Sequence, residues 1–185
     1  MQAVLNYILS AFVILKIPPE RIMNYKEDVI NSIKDILVEK EETIGVAESV
    51  TAGHLQAAFS VGLEASKYFQ GGITAYNIGQ KARHLHIDPI LCNKVNCVAQ
   101  KIADAMAVQV SKMFSSNYGI GITGYASVVP ECEDEGLFAF FAISDNNKIV
   151  AAGRLTTALE KPYDVQIDYT NQVIQKFYEY LHAGK

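Results

Sequence analysis

Ser49 lies in the run Ala47-Glu48-Ser49-Val50-Thr51-Ala52-Gly53, between an apolar stretch, Thr43 to Ala47, and a helix-like stretch, His54 to Phe59. A serine that leaves a buried strand and enters a helix stands where backbone N–H groups lack partners. Such donors can hold an oxyanion, and the helix dipole favours negative charge there. The same placement also suits a simple helix cap, a common use of Ser and Thr. A serine hydroxyl becomes a nucleophile only when a base takes its proton. No histidine falls at an obvious partner position, so Tyr76 and Lys81 are the candidates. A lysine whose ammonium is desolvated loses its proton near neutral pH and can act as a base. Tyr76 would then relay the proton or orient the amine. The competing reading of Lys81 is an exposed helix lysine, the commoner fate of that residue.

For these side chains to meet, the chain must bring two strand ends together. The pattern predicts a helix opening at Asn24 or Tyr25, with Val29, Ile30, Ile33, Ile36 and Leu37 on one face. A buried strand follows at 43–47, a helix at 54–59, a strand at 71–76 and a helix at 79–85. Asp88-Pro89 reads as a turn. Residues 98–114 carry the clearest helical period, with Ile102, Met106, Val110 and Met113 in register, and 118–123 reads as a strand. A loop runs from Tyr125 to Glu135. Strands at 137–143 and 149–155 are joined at Asp145-Asn146-Asn147, a hairpin signal. A last helix spans 163–181. Strands alternate with helices early and a hairpin comes late. The expected fold is therefore α/β, a three-layer α/β/α sandwich with a mixed sheet.

The chain has 185 residues, half of them apolar, with a formal net charge of −4. That suits one domain over 24–185 and gives no electrostatic reason to hold a phosphate backbone, so no nucleic-acid partner is expected. Residues 1–23 begin with the apolar run MQAVLNYILSAFVILKI, which lacks a basic leading segment and a small-residue cleavage site. It is short for a membrane span, and Gln2, Asn6 and Ser10 interrupt it. An extra N-terminal helix docked on the domain or on a second copy is expected, and with it a homo-oligomer. Three cysteines, Cys92, Cys97 and Cys132, argue against a disulfide framework and suit a reducing, cytoplasmic setting, with Cys92 and Cys97 as half-buried thiols. His84 and His86 with those two thiols are not a familiar zinc spacing, and no metal is expected. Gly119-x-Gly121-x-x-Gly124 fits a dinucleotide fingerprint, but its first two glycines fall inside a strand and no helix follows at once.

Three ordered segments, AESVTAG from Ala47, GGITAYNIGQK from Gly71 and GIGITGYA from Gly119, resemble the CinA C-terminal domain family. The resemblance covers about Val29 to the C-terminus. It implies that Ser49 is a nucleophile, Lys81 its base and Tyr76 an assisting group. It also implies that Glu48, Thr51, Gly53, Gly72, Thr123 and Gly124 surround the substrate. The implied reaction is hydrolysis of nicotinamide mononucleotide, or of a related small amide, to the acid and ammonia, without metal or organic cofactor. The chain departs from the family's pattern at Ala52 and from Tyr125 to Val128. It also carries Glu133-Asp134-Glu135 and lacks arginines near Lys161, Tyr163 and Gln166. An Arg fork commonly holds phosphate, so these changes point away from a phosphorylated substrate unless Arg83 or Arg154 replaces it. The alternative from another class is a non-catalytic relative that binds a small molecule or drives oligomerisation.

Overall fold

The computed structural model describes residues 24–130 and 135–183; the expected helix over 1–23 and most of the acidic cluster, Glu131, Glu133 and Asp134, lie outside them. The first amphipathic stretch forms α1 (Glu27–Glu39), whose Ile30, Ile33, Ile36 and Leu37 are buried. It begins two to three residues later than expected. The elements that follow are β1 (Ile44–Glu48), α2 (His54–Ser60), a 3₁₀ turn (Ala65–Lys67), β2 (Phe69–Thr74), α3 (Ile78–Leu85) and α4 (Pro89–Lys94). After them come α5 (Gln100–Phe114), β3 (Tyr118–Gly124), β4 (Phe138–Asp145), β5 (Lys148–Thr156) and α6 (Pro162–Ala183). The turn expected at Asp88-Pro89 opens α4 instead. Asp88 accepts from Ile90 N and proline takes the first helical position, where its missing N–H does no harm.

The five strands form one mixed sheet in the order β2-β1-β3-β4-β5. β1 lies parallel to both β2 and β3, whereas β3–β4 and β4–β5 are antiparallel. Asn146 and Asn147, both at positive φ, make the two-residue β4–β5 turn. Such turns favour Asn because its short side chain tolerates the left-handed region.

Alternation along the central strands splits the core into two layers. Ile44 and Val46 of β1, with Tyr118, Ile120 and Ile122 of β3, join Ile33, Leu37, Phe59 and Phe177 from α1, α2 and α6. Ala47 points the other way and packs with Leu85, Cys92, Ile102, Met106 and Val110 from α3, α4 and α5. Helices on both faces of a mixed sheet give the three layers that the element order predicts. Burial of each large apolar side chain contributes about 1.5–3 kcal/mol.

Gly119 and Gly121 alternate with these apolar β3 residues and face α5. A Cβ at either position would meet the backbone of α5, at Ala107 O and Ala103 O respectively. The fingerprint-like glycines therefore serve close helix–sheet packing.

Candidate active site

The chain leaves β1 for β2 on one side and later inserts β3 on the other, so the sheet order reverses around β1. At such a point the loops beyond adjacent carboxyl ends diverge and leave a crevice. A cavity of about 280 Å³ lies there, lined from three elements. Ser49 comes from the residue after β1, Tyr76, Asn77, Ile78 and Lys81 from the segment after β2, and Thr123 to Ala126 from the end of β3. Asn96, Cys97 and Val98 close a further side.

Ser49 and Lys81 are in direct contact. Lys81 Nζ lies 2.8 Å from Ser49 Oγ and also donates to Ala75 O at 2.8 Å. Lys81 is 1% exposed and Ser49 7% exposed. The local sequence explains this inward lysine. Asn77 caps α3 by accepting from Gln80 N, which fixes the start of the helix. Lys81 and Leu85, four residues apart, then share its buried face. Burial lowers the lysine pKa from 10.5 to about 8, because desolvation disfavours the ammonium. Tyr76 lines the same cavity but is 69% exposed, at its mouth.

The expectation that α2 offers its N-terminus to an oxyanion is corrected. Ser49 precedes α2 by a turn, and the helix is capped at Gly53 without a side-chain cap from that residue. The free donors of α2 converge on Glu48 instead. Its Oε2 accepts from Thr51 Oγ1 at 2.6 Å, Gly53 N at 3.1 Å and Leu55 N at 3.0 Å. Its Oε1 accepts from Gln56 N at 2.9 Å and Gln56 Nε2 at 3.1 Å. A carboxylate at a helix N-terminus is favoured by both the orphan N–H groups and the dipole. The turn between them holds Ala52 and Gly53 at positive φ. Glu48 and Thr51 are fully buried in this network.

Of the six residues expected around a substrate, Thr123 and Gly124 line the cavity; Glu48, Thr51, Gly53 and Gly72 do not. Gly72 serves packing, since a Cβ there would fall 2.5 Å from both Val46 Cγ2 and Gln56 Cγ. Thr123 donates to Cys97 O at 2.8 Å and so ties β3 to the opposite wall.

That wall carries a second correction. Cys92 and Cys97 form a disulfide rather than two thiols. His84 and His86 are exposed, and among the described residues no group of three or more His, Cys, Asp or Glu side chains is placed to hold a metal ion. Asn77, Asn96, Val98 and Ala126 line the cavity without having been anticipated. Asn77 alone left a signal in the sequence, as a capping residue before α3. Neither Arg83 nor Arg154 reaches the cavity. Arg154 pairs with Glu135 at 2.6 Å and stacks 4.0 Å from the Phe138 ring centre. No helix among the described residues is long and apolar enough to cross a membrane.

The family model of the CinA C-terminal domain matches residues 26–181. A putative competence-damage inducible protein of Natranaerobius thermophilus is 32% identical over 123 residues, 66% of this chain and 29% of that protein. A CinA-like protein of Synechocystis is 39% identical over 101 residues, 54% of this chain and 24% of its own length. The matches thus span under a third of these relatives. Among solved structures, a CinA superfamily protein of Escherichia coli superposes with a TM-score of 0.73 at 19% identity, covering 82% of this chain and 87% of that one. One from Klebsiella pneumoniae gives 0.77 at 18% identity, covering 86% and 99%. At such identities the likeness speaks for the fold.

Proposed function

Since the chain belongs to the CinA C-terminal domain family, we propose that it is a Ser/Lys amidohydrolase that cleaves the carboxamide of a small molecule. The observation that carries this reading is the buried 2.8 Å contact between Lys81 Nζ and Ser49 Oγ at the sheet's switch point. With its pKa lowered to about 8, about a tenth of Lys81 is neutral at pH 7, against well under a thousandth for an unhindered lysine. Neutral Nζ accepts the Ser49 proton as Oγ forms a bond to the amide carbon. The tetrahedral adduct collapses by breaking the C–N bond, and Lys81 returns the proton to the departing nitrogen, which leaves as ammonia. Water then adds to the acyl-serine and gives a proton to Lys81. Collapse releases the carboxylic acid, with Ser49 recovering its proton. In this reading Tyr76, which lines the mouth, orients the entering amide. Nicotinamide mononucleotide and related nicotinamides are the amides to try first.

Ammonia release from a panel of carboxamides tests this, using wild type, Ser49→Ala and Lys81→Ala. Turnover by wild type that falls at least 1,000-fold in each variant is expected, in line with loss of a nucleophile or its base. Undiminished turnover in Ser49→Ala would overturn the mechanism.

A further inference from the structure

We propose that the cavity at Ser49 selects amides that carry no phosphate. This rests on the amidohydrolase reading of the same site and names its substrate class.

The first line of argument is the chemistry of the walls. Besides Ser49 and Lys81, the polar side chains that line the cavity are Tyr76, Asn77, Asn96, Thr123 and Tyr125, none of them a cation. Lys81 is the single cationic side chain among the described residues that line the cavity. Its Nζ is already engaged by Ser49 Oγ and Ala75 O, deep in the site where the carboxamide must sit. The nearby guanidinium of Arg154 is held by Glu135 and Phe138, and Arg83 is exposed on α3 outside the lining. A phosphate moved from water to this wall exchanges its hydration for hydrogen bonds from neutral donors, with no free cation among the described residues there to offset its charge.

The second line is independent and concerns the base. Lys81 must be neutral to accept the serine proton. Burial is what holds its pKa down. The other titratable side chains on the cavity wall are Tyr76 and Tyr125, and the Glu48 carboxylate behind the nucleophile's turn is engaged by five donors. A phosphate dianion brought into this low-dielectric space favours the ammonium, because an opposite charge stabilises the charged form. A phosphorylated substrate therefore favours the protonated form of the base that must activate Ser49. A substrate without phosphate leaves Lys81 as burial sets it.

The test pairs nicotinamide riboside with nicotinamide mononucleotide, which share the carboxamide and pyridinium ring and differ by one phosphate. Wild type should show kcat/KM at least tenfold higher for the riboside at pH 7. The pH midpoint of kcat should lie at least half a unit higher with the nucleotide. Calorimetric titration of Ser49→Ala with both compounds reads binding without turnover, and the riboside should bind at least tenfold more tightly. Ala126→Arg, which adds a cation to the wall, should narrow the binding ratio. Nucleotide binding or turnover equal to or better than the riboside's would overturn the proposal, as would binding of neither. Riboside-selective binding with no turnover of either compound would sustain the charge selection while refuting the hydrolase reading.

Discussion

Lys81→Met separates the chemical role of this lysine from its effect on stability, and the two are expected to move in opposite directions. In the folded protein the ammonium is desolvated, with a pKa of about 8 against 10.5 for an unhindered lysine. At about 1.36 kcal/mol per pH unit, that gap is a penalty of about 3 kcal/mol carried by the folded state wherever both forms are protonated. Met removes the penalty but forfeits the bonds to Ser49 Oγ and Ala75 O, each worth about 1 kcal/mol. The variant should therefore be about 1 kcal/mol more stable than wild type at pH 7, and inactive. The sign of the pH dependence follows from proton counts. Between pH 8 and 10.5 the unfolded chain holds a proton on Lys81 that the folded chain has released, so wild-type stability rises with pH. The penalty is complete below pH 8 and gone above 10.5. Urea unfolding followed by circular dichroism, on both proteins from pH 7 to 10.5, measures the difference. Ionisations other than that of Lys81 are common to both proteins and cancel in the difference. Wild type should gain about 3 kcal/mol on the variant across the window. A difference that stays flat with pH would show that the folded-state ammonium is not perturbed, and the argument for Lys81 as base would fall with it.

Three further outcomes are expected. Glu48→Gln puts an amide N–H₂ against at least two donors, Gln56 N and Gln56 Nε2, and weakens the charge-assisted bonds that remain; urea unfolding should show a loss of about 3–5 kcal/mol, and a loss under 1 kcal/mol would refute its role as anchor of the Ser49 turn. Gly121→Val drives a side chain into Ala103 O, Ala107 N and Met106 Cβ on α5, so thermal unfolding should show at least about 3 kcal/mol of destabilisation. Reduction, or Cys92→Ser, opens the short Cys92–Cys97 loop, which by loop-closure entropy is worth about 2 kcal/mol; the melting temperature should fall by about 4–8 °C, and an unchanged melt, with all three cysteines of untreated wild type titrating as free thiols, would count against the disulfide.

The parts of the fold that the sequence made legible are those where period and composition agree. α1 and α5 carry unbroken apolar stripes, and Asn146-Asn147 between two apolar runs marks the hairpin. The start of β2 was not legible, because Gln70 and the Gly71-Gly72 pair interrupt the apolar pattern where the strand bulges beside β1. Gly71 takes positive φ there, with the Phe114 ring where a Cβ would go. Residue types leave the Ser49–Lys81 pairing as one of two readings, and the three ordered motifs favour it; the destination of Glu48 is not legible at all. A carboxylate beside a candidate nucleophile reads as a site residue, and only the path of the 49–53 turn shows it bending back over α2. The disulfide is not legible, because three cysteines in a chain of this length carry no framework signal and Asp88-Pro89 reads as a turn rather than as the start of the short α4 that brings Cys92 to Cys97.

The contrast between Glu48 and Lys81 bears on whether this scaffold is catalytic. Both are fully buried charged residues within one turn of the cavity, yet they are treated in opposite ways. Glu48 receives five hydrogen bonds, three from the N–H groups of Gly53, Leu55 and Gln56. Its burial is compensated, and a binding or oligomerisation module would have equal use for it. Lys81 receives no such compensation. Its partners are one hydroxyl and one carbonyl, its pKa falls, and its burial weakens the fold by about 3 kcal/mol, from the same conversion of pKa to free energy. Lysines with only a structural role usually extend to solvent, whereas Lys81 is held on the buried face of α3 with Leu85. An arrangement that costs stability while holding an amine against a serine deep in a switch-point crevice is what proton transfer requires, and it supports the hydrolase proposal over the inert module. Turnover in wild type and Lys81→Met therefore discriminates the two classes: the hydrolase should lose its turnover while its ligand affinity stays within a few-fold of wild type, whereas an inert module should bind its ligand and turn over no amide in either protein.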